Sequence, residues 1–260
     1  MSRLSDYETA FDTVAFRRED GILEMRLHRE GGEASWSADE TGMNGELARA
    51  FLAVSGDLEN RVVILTGTGD SFLAGLDTSR PFPDIEKMRF WARIERETRE
   101  MAENLLRIPV PVIGAVNGPA FIHAELIAMS DIVLASDRAS FADKGHIVLN
   151  GVVPGDGAHA WWPLVLGPNR ARHFLLTGAE IGAGEAQRLG FVAEVVAHDR
   201  LNDRAWEVAR ELLSRPDLSL RYTRQLLTRP IKAAIASEHG YGRALEAISA
   251  LDLIRRQAGD

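Results

Sequence analysis

Cysteine is absent from the 260 residues, which excludes disulfides, thiolate metal sites and cysteine nucleophiles together. Lysine is nearly absent too, occurring only at Lys87, Lys144 and Lys232. The arginines are scattered among acidic neighbours, as in RIERETRE over residues 93–100, and the net charge is −8. Phosphate affinity rests on clustered cations, so a nucleic-acid-binding surface is excluded. No apolar run approaches the ~18 residues that cross a bilayer, and no membrane partner is expected. The first residues, MSRLSDYETAFD, are polar and acidic, unlike a secretory leader, so the expected location is cytoplasmic. What remains is ordinary: 45% apolar and 26% charged residues, without repeats, low-complexity tracts or flexible linkers.

Residues 13–17 (TVAFR) and 22–28 (ILEMRLH) alternate apolar and polar side chains, with the hairpin signal Asp20-Gly21 between them. A loop is expected at 33–36. A helix is expected over 44–56, with Leu47, Ala50, Phe51 and Val54 at helical spacing. The apolar runs 62–65, 109–116 and 132–135 read as buried strands. Between the first two lie a loop at 70–77 and an amphipathic helix expected over 84–106; between the last two lie the turn NGPAFIHA and a short helix. Buried strands alternating with helices indicate parallel crossovers and an α/β core. From Gly157 onward the pattern is mostly helical, over 158–166, 169–177, 184–189, 201–214, 218–228 and 231–257, with one strand at 192–196. The expected organisation is a core domain over 1–199 followed by a helical appendage over 200–260.

Three loops follow expected strands, at 66–77, 116–123 and 141–159. Open α/β sheets bind ligands at the carboxyl ends of their strands. The glycines there allow close backbone approach or a positive φ, although each alone reads better as an ordinary turn. Two of the loops carry His123 and His146. Either histidine alone reads as a surface or helix-end residue; together they suggest acid–base work on a carbonyl. Asp156, between two glycines, suits a turn or helix cap as well as an imidazole partner. Glu125 suits a helix start, and Glu246 on an amphipathic helix reads by itself as a solvated-face residue. Trp36 reads as a core, interface or site aromatic, Trp161 and Trp162 read as packing, and His159 faces the helix start.

In their order these motifs resemble the crotonase (enoyl-CoA hydratase/isomerase) superfamily over residues 62–189. VVILTGTGDSFLAGLD resembles the first oxyanion-hole segment, which implies that the N–H of Ala74 faces an acyl oxygen. PVPVIGAVNGPA leads into the second such segment and ELIAMSDIVLAS closes it. GVVPGDGAHAWWPLVLG resembles the loop and helix after the site, and LTGAEIGAGEAQRLGFVAEVV the stretch that follows. The resemblance implies a ββα spiral core with a C-terminal helical appendage that serves trimerisation, giving a homotrimer or a dimer of trimers. The amphipathic stretch 245–254 is compatible with such an interface.

The departures narrow the resemblance. Where the family carries three glycines before its Glu-Leu-Ala helix, this chain has Phe121-Ile122-His123-Ala124 and is one residue shorter. That disrupts the N–H donor which, with the one at Ala74, binds a thioester oxyanion. Glu125 matches the first glutamate of the hydratases; the second falls near His146-Ile147, in a segment two residues longer. These departures resemble the 6-oxocamphor hydrolase-like β-diketone hydrolases, which cleave a carbon–carbon bond of a cyclic 1,3-diketone without CoA. The resemblance implies a catalytic pair at His146 and Asp156, a second histidine at His123, a glutamate at Glu246 and a substrate-facing tryptophan at Trp36.

The implied reaction is a retro-Claisen hydrolysis that gives a keto acid. His146, held by Asp156, takes a proton from water; His123 assists at the second carbonyl, and Glu246 orients water or a histidine. Neither cofactor nor metal ion is expected, and the expected partner is a small cyclic diketone. An acyl-CoA hydratase or isomerase with an atypical site is the alternative, supported by Glu125 and opposed by the altered oxyanion segment and the scarcity of lysine. A non-catalytic relative kept for binding or assembly is a third reading.

Overall fold

The computed structural model describes residues 2–80 and 87–258. A short helix, α1 (Leu4–Tyr7), precedes two strands, β1 (Val14–Glu19) and β2 (Ile22–Leu27), which form an antiparallel hairpin. The turn residues Asp20 and Gly21 have φ of 51° and 84°, the left-handed geometry that matches strand twist and that Asp-Gly favours. Then come α2 (Met43–Ser55), β3 (Val62–Thr66), α3 (Met88–Arg107), β4 (Val112–Val116), α4 (Glu125–Ala128), β5 (Ile132–Ser136) and β6 (Ser140–Phe141). The chain continues through α5 (Ala158–Leu166), α6 (Pro168–Thr177), β7 (Ile181–Gly182), α7 (Ala183–Arg188) and β8 (Glu194–Val196). It ends in α8 (Leu201–Leu213), α9 (Asp217–Leu227) and α10 (Arg229–Ala258).

The main sheet runs β1-β2-β3-β4-β5-β8 and is parallel beyond the opening hairpin. β3 and β4 are buried at every position, which is why they read as continuous apolar runs. The helix expected over 84–106 is α3; residues 84–86 lie outside the described residues. The small β6–β7 pair and α1 were not expected, because elements this short carry no periodicity.

Successive side chains of a strand point to opposite faces, and the two faces are covered differently. Val63 and Leu65 join Phe51, Leu105, Phe141 and Trp162 in the larger apolar cluster. Val62 and Ile64 face the other way, where α8 buries Leu201, Ala205, Trp206 and Ala209. α8 therefore forms a layer over the sheet, although it lies past residue 200. The structure is α/β, a parallel sheet core followed by C-terminal helices. Among the described residues no helix is long and apolar enough to cross a membrane.

The loops at the carboxyl ends of the strands are joined edge to edge. Phe121 and Ile122 donate their N–H groups to the Leu73 carbonyl at 2.9 and 3.1 Å, and Ala120 donates to the Ser140 carbonyl at 2.8 Å. Trp36 donates its N–H to the Gly75 carbonyl at 2.9 Å and accepts from Asp77 at 2.7 Å. Gly118 permits this approach, since a Cβ there would lie 1.8 Å from the Asp70 carbonyl oxygen. α10 crosses the loop before α5 equally closely: a Cβ at Gly155 would lie 2.2 Å from the Gly242 carbonyl oxygen. Gly155→Ala is expected to cost about 1–3 kcal/mol of stability, as overpacking does, and to lower turnover by pushing α10 off this loop. Denaturant unfolding and a rate measurement on the same preparation check both, and an unchanged midpoint would show that the contact is slack.

Candidate active site

Side chains from four loops and three helices meet in a cavity of about 870 Å³. His123, Asp143, His146, Asp156, Arg243 and Glu246 form its polar end. Asp156 stands at the centre. Its Oδ2 lies 3.3 Å from Nδ1 of His123 and 3.1 Å from Nε2 of His146, so one carboxylate oxygen serves two imidazoles. Its Oδ1 accepts the N–H of Ala158 at 3.3 Å, which is the turn role that its glycine neighbours suggest. Nδ1 of His123 also meets Oε1 of Glu125 at 2.6 Å. Nδ1 of His146 meets Oδ1 of Asp143 at 2.6 Å. Both nitrogens of His146 thus face carboxylates, whereas Nε2 of His123 makes no hydrogen bond among the described residues. The His123 ring packs on Trp36, with centroids 3.9 Å apart.

Burial and charge oppose one another here. Burial pushes the His146 imidazole down, but Asp156 and Asp143 outweigh it and hold the ring well above its ordinary value. Burial likewise lowers His123, while Glu125 and Asp156 give a net rise. For Asp156, burial favours the neutral acid, yet His146 and His123 draw it well below the usual carboxylate range. Glu125 and Glu246 move up, because burial exceeds the attraction of His123 and of Arg243 respectively.

From the C-terminal side, Nη1 of Arg243 donates to Oε2 of Glu246 at 2.8 Å and Nη2 donates to Oγ1 of Thr98 at 2.8 Å. The Thr98 hydroxyl itself donates to the Ile94 carbonyl at 2.7 Å. Nε2 of His239 lies 3.2 Å from the same hydroxyl. Burial and the neighbouring Arg243 push His239 down to about 4, so it stays neutral beneath the site.

Of the residues that the sequence suggested, His123, His146, Asp156, Glu246 and Trp36 all line the cavity. Glu246 is only 7% exposed, so its helix position is not a solvated face: α10 turns it onto the Asp156 loop. Ala74 is half-buried, lies outside the lining, and its N–H has no hydrogen-bond partner among the described residues. His159 spans the carbonyls of Pro154 and Glu238 at 3.0 and 3.2 Å, away from the cavity. Asp143, Arg243 and Thr98 were missed. Arg243 was legible as an i, i+3 partner of Glu246 on one helix; Asp143 sits in a loop, where spacing carries no such signal.

Nδ1 of His123 and oxygens of Glu125 and Asp156 lie within 4.8 Å of one another, a donor set of the kind that holds a divalent cation. The 2.6 Å between Nδ1 and Glu125 is shorter than the ~3.3 Å between two ligands of a tetrahedral zinc with bonds of ~2.0 Å. The three side chains form an ion-paired hydrogen-bond cluster.

His123 stands at φ 48°, left-handed backbone that costs any residue bearing a Cβ about 1–2 kcal/mol relative to glycine. Such strain persists where function requires the side chain. His123→Gly is expected to unfold at higher urea concentration than His123→Ala, by about 1 kcal/mol, with both inactive. Equal stabilities would mean that the backbone relaxes once the imidazole is gone.

The pattern of the enoyl-CoA hydratase/isomerase family matches residues 17–244. The chain is 30% identical over 224 residues to enoyl-CoA delta isomerase 2 of Homo sapiens, a match that takes in 84% of this chain and 55% of that protein's own length. Its fold is similar to that of a β-diketone hydrolase from the cyanobacterium Anabaena sp. PCC 7120, solved with (S)-3-oxocyclohexyl acetic acid bound. The TM-score is 0.91 and the identity 42%, over 95% of this chain and 98% of that one. It is also similar to an enoyl-CoA hydratase/isomerase from Mycobacterium paratuberculosis, with a TM-score of 0.82 and 28% identity over 92% and 94% of the two chains. With both its sequence pattern and its fold matched, the chain belongs to the enoyl-CoA hydratase/isomerase family of the crotonase superfamily.

Proposed function

We propose that this protein hydrolyses a carbon–carbon bond of a cyclic 1,3-diketone, opening the ring to a keto acid by a retro-Claisen reaction. The observation that carries the reading is the pair of imidazoles sharing Oδ2 of Asp156 at 3.3 and 3.1 Å. They sit at the polar end of a cavity whose other walls include Trp91, Ile94, Val152 and Ala250. Water adds to one carbonyl carbon and gives up a proton to a base. The bond from that carbon to the carbon between the carbonyls then breaks, and its electron pair passes into an enolate on the second carbonyl. The enolate takes a proton on carbon, so one water is consumed and nothing is oxidised or reduced.

Two proton jobs meet two imidazoles. The family resemblance gives water activation to His146 with Asp156, and the second carbonyl to His123. In this reading Trp36 is a flat wall for the substrate, and Glu246 with Arg243 fixes the far side of the Asp156 loop. Similarity to the Anabaena β-diketone hydrolase supports it, since the (S)-3-oxocyclohexyl acetic acid bound there is itself a keto acid.

Acyl-CoA hydration or isomerisation is the second reading, favoured by the family and by the likeness to enoyl-CoA delta isomerase 2. Charge disfavours it. Asp39, Asp77, Asp143, Asp156 and Glu246 line the cavity, and its arginines, Arg80 and Arg243, are held by Asp39 and Glu246 at 2.8 Å each. The amides of Phe121 and Ile122, which would complete an oxyanion hole, are bound to Leu73.

Monocyclic and bicyclic 1,3-diketones are expected to lose their absorbance on incubation with the protein, and His146→Ala to be slowed by at least ~10²-fold. A wholly inert panel, together with micromolar binding of crotonyl-CoA by calorimetry, would favour the CoA reading instead. We further propose that the C-terminal helices assemble the chain into a homotrimer or a dimer of trimers. α9 exposes Leu218, Tyr222 and Leu226, and α10 exposes Tyr241, Leu245 and Ile248, each set along one helix face. Light scattering is expected to give a mass of three or six chains, and a monomer at micromolar concentration would overturn the assembly.

A further inference from the structure

A neutral imidazole has one N–H and one lone pair. Nδ1 of His146 lies 2.6 Å from Asp143 and Nε2 lies 3.1 Å from Asp156. Either neutral tautomer would therefore aim a lone pair at a carboxylate, whereas the imidazolium donates at both ends. Asp143 is buried, and among the described residues its second oxygen, Oδ2, has no hydrogen-bond partner, so within them this carboxylate serves the ring alone. Lys144 beside it is turned away, onto the Phe121 ring at 3.5 Å and Glu180 at 3.0 Å. The other charged groups around the ring are His123 and Glu125 from the loop before α4 and from α4 itself, and Arg243 and Glu246 from α10.

We propose that Asp143 is a positioning residue that, opposite Asp156, clamps His146 as an imidazolium, and that His123 is the imidazole that takes the proton from water. This inference rests on the hydrolase reading and reverses the division of labour implied by the family resemblance. His123 presents Nδ1 to Glu125 and Asp156 and keeps Nε2 open, the arrangement of a general base oriented from behind. A carboxylate faces each ring nitrogen of His146, whereas both carboxylates beside His123 meet the same Nδ1, so over an interval of pH His123 is neutral while His146 is still charged. In that interval the water proton passes to Nε2 of His123, and the fixed positive charge of His146 stabilises first the tetrahedral oxyanion and then the enolate. His123 returns its proton to the enolate carbon.

The first test needs no substrate. With ¹⁵N-labelled histidine, the resonances lost in His146→Gln are expected to show both ring nitrogens protonated at neutral pH, and those lost in His123→Gln to titrate at lower pH. The second is the rate profile on a 1,3-diketone, expected to rise as His123 deprotonates and to fall as His146 does. Asp143→Asn is expected to move the falling limb to lower pH, leave the rising limb in place, and cost about tenfold or more on the alkaline side. Asp143→Glu is expected to restore part of the loss. A His146 ring with one bare nitrogen at neutral pH, or a rising limb that moves in Asp143→Asn, overturns the proposal. Should no diketone react, the reaction reading fails while the protonation state is still decided by the resonances.

Discussion

One oxygen atom, Oδ2 of Asp156, lies within 3.3 Å of both imidazoles, and the rest of the site is arranged around holding it there. The side chain is 2% exposed, and an unpaired buried carboxylate would cost several kcal/mol. Two imidazoles and the Ala158 amide offset that cost. The offset works only if the loop is pinned, and α10 does the pinning through the backbone contact at Gly155 and the His159 bridge between the Pro154 and Glu238 carbonyls. Docking of the last helix and placement of the central carboxylate are therefore one constraint, which also explains why Arg243 and Glu246 arrive in the cavity together.

A second exchange sets this site apart from one that holds a thioester by backbone amides. The turn after β4 must enter left-handed backbone, which glycine adopts freely, yet here His123 occupies it at φ 48°. The neighbouring amides of Phe121 and Ile122 turn inward to the Leu73 carbonyl, so on this loop backbone donors give way to a titratable ring. That exchange suits a reaction in which a water must be deprotonated and a carbon reprotonated.

Much of the fold was legible because its signals are local. β3 and β4 are buried on both faces and read as unbroken apolar runs, and Asp20-Gly21 closes its hairpin as such dipeptides do. That α8 would cover the sheet was not legible, since an amphipathic helix reveals that it has an apolar face and not what that face meets. The same limit applies to Glu246, because α10 lays one face on the Asp156 loop and on α3 while leaving Tyr241 and Ile248 exposed, which blurs any single stripe. His123 and His146 were legible as a pair because parallel strands deliver their loops to one end of the sheet. Asp143 was not, since its reach to Nδ1 of His146 depends on how the loop folds back.

Charge also shapes what the proposed reaction would do at its end. A cyclic diketone is neutral and would enter an apolar-walled cavity that offers no unpaired cation among its described lining residues. Hydrolysis converts it into a carboxylate beside that of Asp156, which is held well below the usual carboxylate range, and like charges a few ångströms apart in a partly desolvated cavity repel appreciably. Attraction from the His146 imidazolium, which in the proposal stabilises the oxyanion, offsets only part of that repulsion. The product therefore meets a less favourable field than the substrate did. Electrostatics that would work against a CoA ester would thus favour release of a keto acid.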